Sequence, residues 1–176
     1  MQVLKPGTHT TVQDFPGRLG YWHVGVPPSG PMDDLAFRLA NRVLGNAAGT
    51  TALELTSSGP TVRFRDDTVL ALTGAPMPAQ LDGAPVPYWR PGAVRAGSVL
   101  AIGAITPERA IGQRAYLAVR GGFDVPAYLG SRATFILGKF GGHAGRVLRT
   151  SDMLRWLNPE SLPAPDSLPD GLRPRD

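Results

Sequence analysis

Residues 10–46, TTVQDFPGRLGYWHVGVPPSGPMDDLAFRLANRVLGN, hold a strand pattern, a long loop and a helix pattern in succession, and their reading decides the fold. The loop runs from Pro16 to Pro31, with glycine at 17, 20, 25 and 30 and proline at 16, 27, 28 and 31. Arg18, Tyr21, Trp22, His23 and Ser29 stand among them. A loop this long, built from fixed-φ and free-φ residues, is functional or disordered. Its aromatics argue for order, because disordered segments lack side chains that bury apolar area.

A helix is expected next, over about residues 33–45. Asp33 is placed to accept from first-turn amides, and Asp33 and Asp34 both complement the positive end of the dipole. Leu35, Leu39, Ala40, Val43 and Leu44 make one apolar stripe. Asp34 and Arg38 form an i, i+4 pair worth about 0.2–0.5 kcal/mol. Gly45-Asn46 supplies a left-handed stop. Two readings of Asp33 stay open, a helix cap or a carboxylate aimed into a site. Ser29, in Pro-Pro-Ser-Gly-Pro, is likewise a turn hydroxyl or a site residue; the strand–turn–helix context of a nucleophile elbow is missing around it.

The remainder is a series of short β patterns. Strands are expected at 2–5, 10–13, 52–56, 61–65, 68–73, 86–89, around 94, and at 98–102, 114–120, 134–137, 146–148 and 153–157. The run at 68–73 is apolar throughout, as for a strand buried on both faces. Asp82-Gly83 is a hairpin signal. Many short strands with one principal helix indicate a mainly β chain, a barrel or sandwich, and exclude a parallel α/β fold for want of crossover helices. Residues 1–157 read as one domain. Residues 158–176, with proline at 159, 163, 165, 169 and 174, read as a linker or tail, and a chain that ends inside a linker is expected to be a piece of something longer.

Composition removes whole classes of function. The 176 residues include no cysteine, which excludes disulfides, thiolate catalysis and thiolate zinc sites. The three histidines, His9, His23 and His143, have no partner at metal-ligand spacing, so no metal is expected. The net charge is +4, but Lys5 and Lys139 are the only lysines and the arginines are scattered. Nothing forms a basic stripe with interleaved aromatics, so nucleic acid is not an expected partner. No apolar run reaches the ~20 residues of a membrane span, and the N-terminal residues do not form a secretory signal. Cytoplasmic location is the expectation.

Cations and hydroxyls recur on glycine-rich turns in the last third. Arg120-Gly121-Gly122 follows a strong strand, where two glycines permit close approach of the backbone to a ligand or to another strand. Ser131-Arg132 and the run from Gly138 to Arg146, which carries Lys139 and His143, repeat the theme. Amides in such turns can form an anion nest, with Arg120, Arg132, Lys139 and Arg146 holding a carboxylate or phosphate. Hairpin turns in a barrel call for the same glycines, and the spacing is not that of a P-loop.

The strings TTVQDFPGRLGYWHVGVPPSGPMDDLAFRLANRVLGN, ALELTSSGP, ALTGA and YLAVRGGFDVPAYLGSRATFILGKFGGHAGR closely resemble the biotin-dependent carboxyltransferase family, also called allophanate hydrolase subunit 2. The resemblance runs in order from Met1 to about Leu157, and DFPGRLGYW with GVPPSGPMDD is most similar to the urea carboxylase and urea amidolyase branch. It implies a cyclophilin-like β-barrel. It implies a part in passing a carboxyl group from carboxybiotin, on a carrier domain in trans, to urea to give allophanate. ATP would be used by a separate carboxylase domain; family members are often described as ATP-binding hydrolases, although no nucleotide motif is present here. The implied partners are an allophanate hydrolase subunit 1-like domain and the biotin carrier domain. The family alternative is a component like the C subunit of bacterial 5-oxoprolinase; a third is a non-catalytic partner-binding module. No established catalytic residue maps onto this sequence. The chemistry calls for donors to developing carboxylate charge and for a carboxylate to orient an amide substrate. The candidate binding residues are Asp33, Ser29, Arg120, Gly121, Gly122, Ser131, Arg132, His143 and Arg146.

Overall fold

The computed structural model describes residues 1–106 and 112–157. The proline-rich stretch expected as a linker, 158–176, lies outside the described residues. Ten strands and one α-helix are found among those described. In chain order they are β1 (Gln2–Lys5), β2 (His9–Gln13), α1 (Asp34–Val43), β3 (Ala52–Thr56), β4 (Thr61–Arg63), β5 (Thr68–Gly74), β6 (Ala79–Leu81), β7 (Ala84–Pro85), β8 (Gly92–Val94), β9 (Val99–Ile102) and β10 (Arg114–Val119). A short 3-10 turn, Trp22–Val24, sits in the long loop.

Two five-stranded antiparallel sheets enclose one core, as the mainly β reading requires. The first has the order β1-β4-β9-β6-β7 and the second β2-β3-β10-β5-β8. Side chains alternate across each strand. Val12, Leu53, Leu55, Leu70, Leu72, Leu117 and Val119 of the second sheet meet Val3, Val62, Leu100 and Ile102 of the first in the shared interior. The outer face of the second sheet is covered by α1, through Ala52, Ala71, Tyr116 and Ala118. That double burial explains the unbroken apolar run of β5. Asp82 and Gly83, both at positive φ, make the expected hairpin between β6 and β7.

The helix is present, but its buried stripe is rotated from the one the sequence suggests. Ala36, Phe37, Ala40, Val43 and Leu44 face the sheet, whereas Leu35 is 61% exposed. Phe37 decides this orientation by packing edge-on against Tyr116, with ring centroids 5.7 Å apart. Asp33 caps the helix, its Oδ1 accepting from the Ala36 amide at 3.0 Å. Gly45 takes the left-handed conformation. Asn46 is buried instead: its Nδ2 donates to Asn41 Oδ1 and to the Val119 carbonyl, and its Oδ1 accepts from the Gly121 amide.

Four expected strands are absent as such. In place of 86–89 the chain pairs at Ala84–Pro85 and then reaches the second sheet, with the Trp89 amide donating to the Leu72 carbonyl. Stretches 134–137, 146–148 and 153–157 form isolated bridges at most. Their amides, and those of the turn at 151, reach sheet edges at separate points. Thr134 and Leu148 donate to Val12 and Thr10 of β2, and Ser151 and Leu154 donate to Val3 and Met1 at β1 and beside it. These segments cover the edges of both sheets without extending them. No helix among the described residues is long and apolar enough to cross a membrane.

Candidate functional site

The long loop leaves β2 and returns to α1 as a closed arm. Its legs meet where the Arg18 amide donates to the Pro28 carbonyl at 2.6 Å. A side chain at Gly17 would fall 2.6 Å from that carbonyl, and φ there is +84°, so the junction requires glycine. The tip is bare: Leu19, Trp22 and Val24 are 61%, 73% and 62% exposed.

One leg is fastened to the segment 128–142. Asp14 accepts from the Ser131 hydroxyl at 2.6 Å and from the Arg132 amide at 2.6 Å. Arg18 is buried, donating from Nε to the Tyr128 carbonyl at 3.1 Å and from Nη2 to the Ala133 carbonyl at 2.9 Å. Burial pulls its guanidinium below the ordinary arginine range, and the charge of Asp14 opposes that. The other leg is fastened to the second sheet. Gln13 Oε1 accepts from the Gly30 amide, Glu54 Oε2 accepts from the Met32 amide at 2.7 Å, and the Tyr116 hydroxyl accepts from the Asp33 amide at 2.8 Å.

The sequence-derived candidates divide among four places. Ser29, at φ +56°, and Asp33 lie on the returning leg, Asp33 exposed beyond its capping contact. Ser131 and Arg132 lie against Asp14, Ser131 buried and Arg132 exposed, with Arg132 Nε donating to the Val125 carbonyl. His143 and Arg146 converge on Asp152. Arg146 grips it through both terminal nitrogens at 2.6 and 2.8 Å, and His143 Nε2 stands 3.4 Å away. Arg120, Gly121 and Gly122 sit elsewhere, past the end of β10. There the Gly121 amide serves Asn46, and a side chain at Gly122 would strike Thr50 and Thr51. Gly122 thus lets the Thr50–Thr51 segment approach closely.

The glycines of 138–146 have the same explanation. A Cβ at Gly142 would collide with Thr134 Oγ1, and one at Gly141 with the Ala133 carbonyl, so the turn is compressed against 133–134. The four cations named as able to hold an anion stand on three parts of the fold. Arg132 and Lys139 are exposed on the 128–142 segment, Arg146 is engaged by Asp152, and Arg120 belongs to the end of β10. Asp152 is held down to about 2, chiefly by its bonds from Arg146 and with help from the Arg149 amide.

Sequence reasoning does not single out Asp14, Glu54, Tyr116 or Asp152, and it places Arg18 in the loop without a role. Glu54 has a signal: it is the one charge in the strand ALELT. Its alternation suggests a solvent face, but that face is covered by the loop and helix. A groove of about 330 Å³ beside β6 and β7 is lined by Pro76, Met77, Pro78, Pro85, Val86 and Tyr88. It presents no charged group and offers nothing for carboxyl chemistry.

What the arrangement can do is hold two loops rigidly together and expose on them cations (Arg132, Lys139), a carboxylate (Asp33) and apolar side chains (Leu137, Tyr128). Such a surface suits an anionic group approached from outside.

Comparison with known proteins gives one consistent relationship. The model of the family described as carboxyltransferase domain, subdomain A and B, matches residues 24–175. The chain is similar to the urea amidolyase of Saccharomyces cerevisiae, 48% identical over 172 residues that make up 98% of this chain and 9% of that protein. It is similar to the 5-oxoprolinase C subunit of Escherichia coli, 41% identical over 155 residues, 88% of this chain and 48% of that one. Among solved structures, the crystal structure of the K. lactis urea amidolyase superposes with a TM-score of 0.91 at 47% identity, over 99% of this chain and 11% of that one. The chain thus spans about a tenth of the amidolyases' length and about half of the oxoprolinase relative's.

Proposed function

The chain belongs to the carboxyltransferase domain family, subdomain A and B, and from that premise we propose that it is a component of a biotin-dependent urea carboxylase, helping to transfer a carboxyl group to urea to give allophanate. The observation that carries this reading is the correspondence of nearly the whole chain with a yeast urea amidolyase in both sequence and fold. The biotin carrier domain and an allophanate hydrolase subunit 1-like domain are the partners this reading needs, and ATP use falls to a separate carboxylase domain.

The exposed donor set fits a carboxylated carrier. Arg132 and Lys139 are cations at the surface with apolar Leu137 between them in sequence, suited to an anionic carboxylate on a ureido ring fused to an apolar thioether ring. When bound, carboxybiotin supplies the activated carboxyl group. Arg132, whose Nε donates to the Val125 carbonyl, would hold the anionic carboxyl group and neutralise its charge. Asp33 uses Oδ1 for the helix cap and keeps its second oxygen as an acceptor for an amide N–H of the nucleophile. The braced arm keeps the two legs from drifting, which supplies orientation.

The test is reconstitution: the chain is supplied with the remaining parts of a urea amidolyase and a carboxylated carrier, and urea-dependent loss of the carboxyl group is measured. Turnover that requires this chain supports the reading, and no turnover with all parts present refutes it. A second reading, a component like the C subunit of 5-oxoprolinase, is favoured by the similarity to that protein over about half its length. Turnover with 5-oxoproline in place of urea would select it. Stable capture of a subunit 1-like domain with neither activity would select a non-catalytic binding module.

A further inference from the structure

Four polar side chains form one row across the outer face of the second sheet. Thr11 faces Glu54, Glu54 faces Tyr116, and Tyr116 faces Thr73 in successive antiparallel registers. Each is buried, Glu54 to 8% and Tyr116 to 0% exposure. The row makes contacts upward as well as sideways. Glu54 Oε2 accepts from the Met32 amide at 2.7 Å and from the Tyr116 hydroxyl at 2.9 Å. The Tyr116 hydroxyl in turn accepts from the Asp33 amide at 2.8 Å, and the Thr73 hydroxyl donates to the Ala36 carbonyl at 2.7 Å. Gln13, two residues beyond Thr11 on the same face of β2, accepts from the Gly30 amide and donates to Thr11.

A carboxylate at this depth is a poor device for stability alone, because desolvation offsets most of what its hydrogen bonds return. Apolar residues of similar volume would anchor α1 at least as well. What an apolar row could not do is fix the register of a loop that has no ladder of its own. Three loop amides, at Gly30, Met32 and Asp33, end on side chains from three different strands.

We propose that Glu54 is a positioning residue: acting directly on Met32 and through Tyr116 on Asp33, it sets where the Asp33 carboxylate stands for the acceptor substrate. This rests on the reading of that leg as the acceptor side of a carboxyl-transfer site. Glu54 touches no substrate. Its effect reaches the site through two backbone amides, and Tyr116 is the intermediate for the second.

Glu54→Met and Tyr116→Phe, singly and together, test it. Amide hydrogen exchange on this chain is read at Met32 and Asp33, with Leu117 in β10 as the reference. The expected result is at least tenfold faster exchange at Met32 and Asp33 in Glu54→Met, which has no acceptor oxygen, and at Asp33 in Tyr116→Phe, with Leu117 unchanged. In the reconstituted transferase, kcat/KM for urea falls about tenfold while KM for the carboxylated carrier stays the same. The double variant falls no further than the worse single variant, because both changes cut one chain of contacts. Unchanged protection at Met32 and Asp33 overturns the proposal, and so does equal loss of protection at Leu117, which marks a purely structural role. Faster loop exchange with unaltered urea kinetics leaves the bracing intact and overturns the acceptor-site reading instead. Should Glu54→Met not fold, Tyr116→Phe preserves the Glu54–Met32 bond and carries the test alone.

Discussion

The guanidinium carbon of Arg18 lies 4.8 Å from the centre of the Phe140 ring, beneath the surface of the chain. Through this contact, and through two carbonyls at 3.1 and 2.9 Å, the arm that follows β2 is tied to a segment more than a hundred residues later. A buried cation over an aromatic face is stabilised when it is desolvated together with its partners.

Removing that cation is expected to be costly. Arg18→Leu leaves the Ala133 carbonyl without a donor, takes from the Tyr128 carbonyl one of its two donors (the Ser131 amide remains) and breaks the ring contact, for a loss of about 3 kcal/mol. Arg18→Lys keeps charge but cannot reach both carbonyls from one planar group, and should lose about half as much. Urea unfolding checks both: the midpoint falls with the slope unchanged. Limited proteolysis adds a local readout, with new cleavage between 135 and 145 at urea concentrations that leave the sheets folded.

Acid stability should depend on Asp152. Its folded pKa is about 2, against an ordinary value of 3.8, chiefly because Arg146 donates twice to it. A depressed carboxylate contributes stability that is complete above its unfolded value and is lost as pH falls toward its folded value. The window is therefore about pH 4 down to about pH 2, and the amount is about 2 kcal/mol for a side chain that is 11% exposed. Asp152→Asn should lower stability at neutral pH and flatten the dependence in that window. A steep acid limb that survives in Asp152→Asn rules out this assignment.

At the alkaline end the phenols of half-buried Tyr88 and buried Tyr116 take over. Burial pushes the Tyr88 hydroxyl up to about 12, and burial with the nearby Glu54 carboxylate pushes Tyr116 higher still. Raised pKa values give stability that is full below the unfolded value of 10.0 and is lost as pH climbs above it. Stability should fall from about pH 10 upward, and Tyr116→Phe should soften that fall. Phenolate absorbance is the check: two of the four tyrosines should ionise only together with unfolding.

The sheets were legible in the sequence because alternation and turn residues speak directly for them. β3, β5 and β10 lie where apolar and period-2 runs between glycine and proline breaks predict. Long-range contacts hid the rest. Leu35 fits an apolar stripe by spacing, yet Phe37 takes the sheet because Tyr116 stands opposite it. Stretches such as 134–137 have β composition, but their amides meet β2 at single points, so no ladder forms. Glu54 alternates like a solvent-facing residue and is buried by a loop whose course no local pattern foretells. Arg18 sits in a turn sequence that reads as exposed, and its partners lie more than a hundred residues away.

Asp33 carries two meanings in the sequence, and a pair of substitutions separates them. As a cap, its side chain accepts from the Ala36 amide, and Asp33→Ala should cost about 1 kcal/mol. Asparagine caps about as well, so Asp33→Asn should leave the thermal midpoint within a degree or two of the parent for a domain of this size. The substitution does remove the charge and turns one acceptor oxygen into a donor. If the carboxylate orients an amide substrate, Asp33→Asn in the reconstituted transferase should lower kcat/KM for urea by about a hundredfold, within the range of a lost acid–base contact. Because the cap survives in Asp33→Asn, the loss cannot come from a frayed helix. Equal urea kinetics in Asp33→Asn and the parent would leave Asp33 a cap and nothing more.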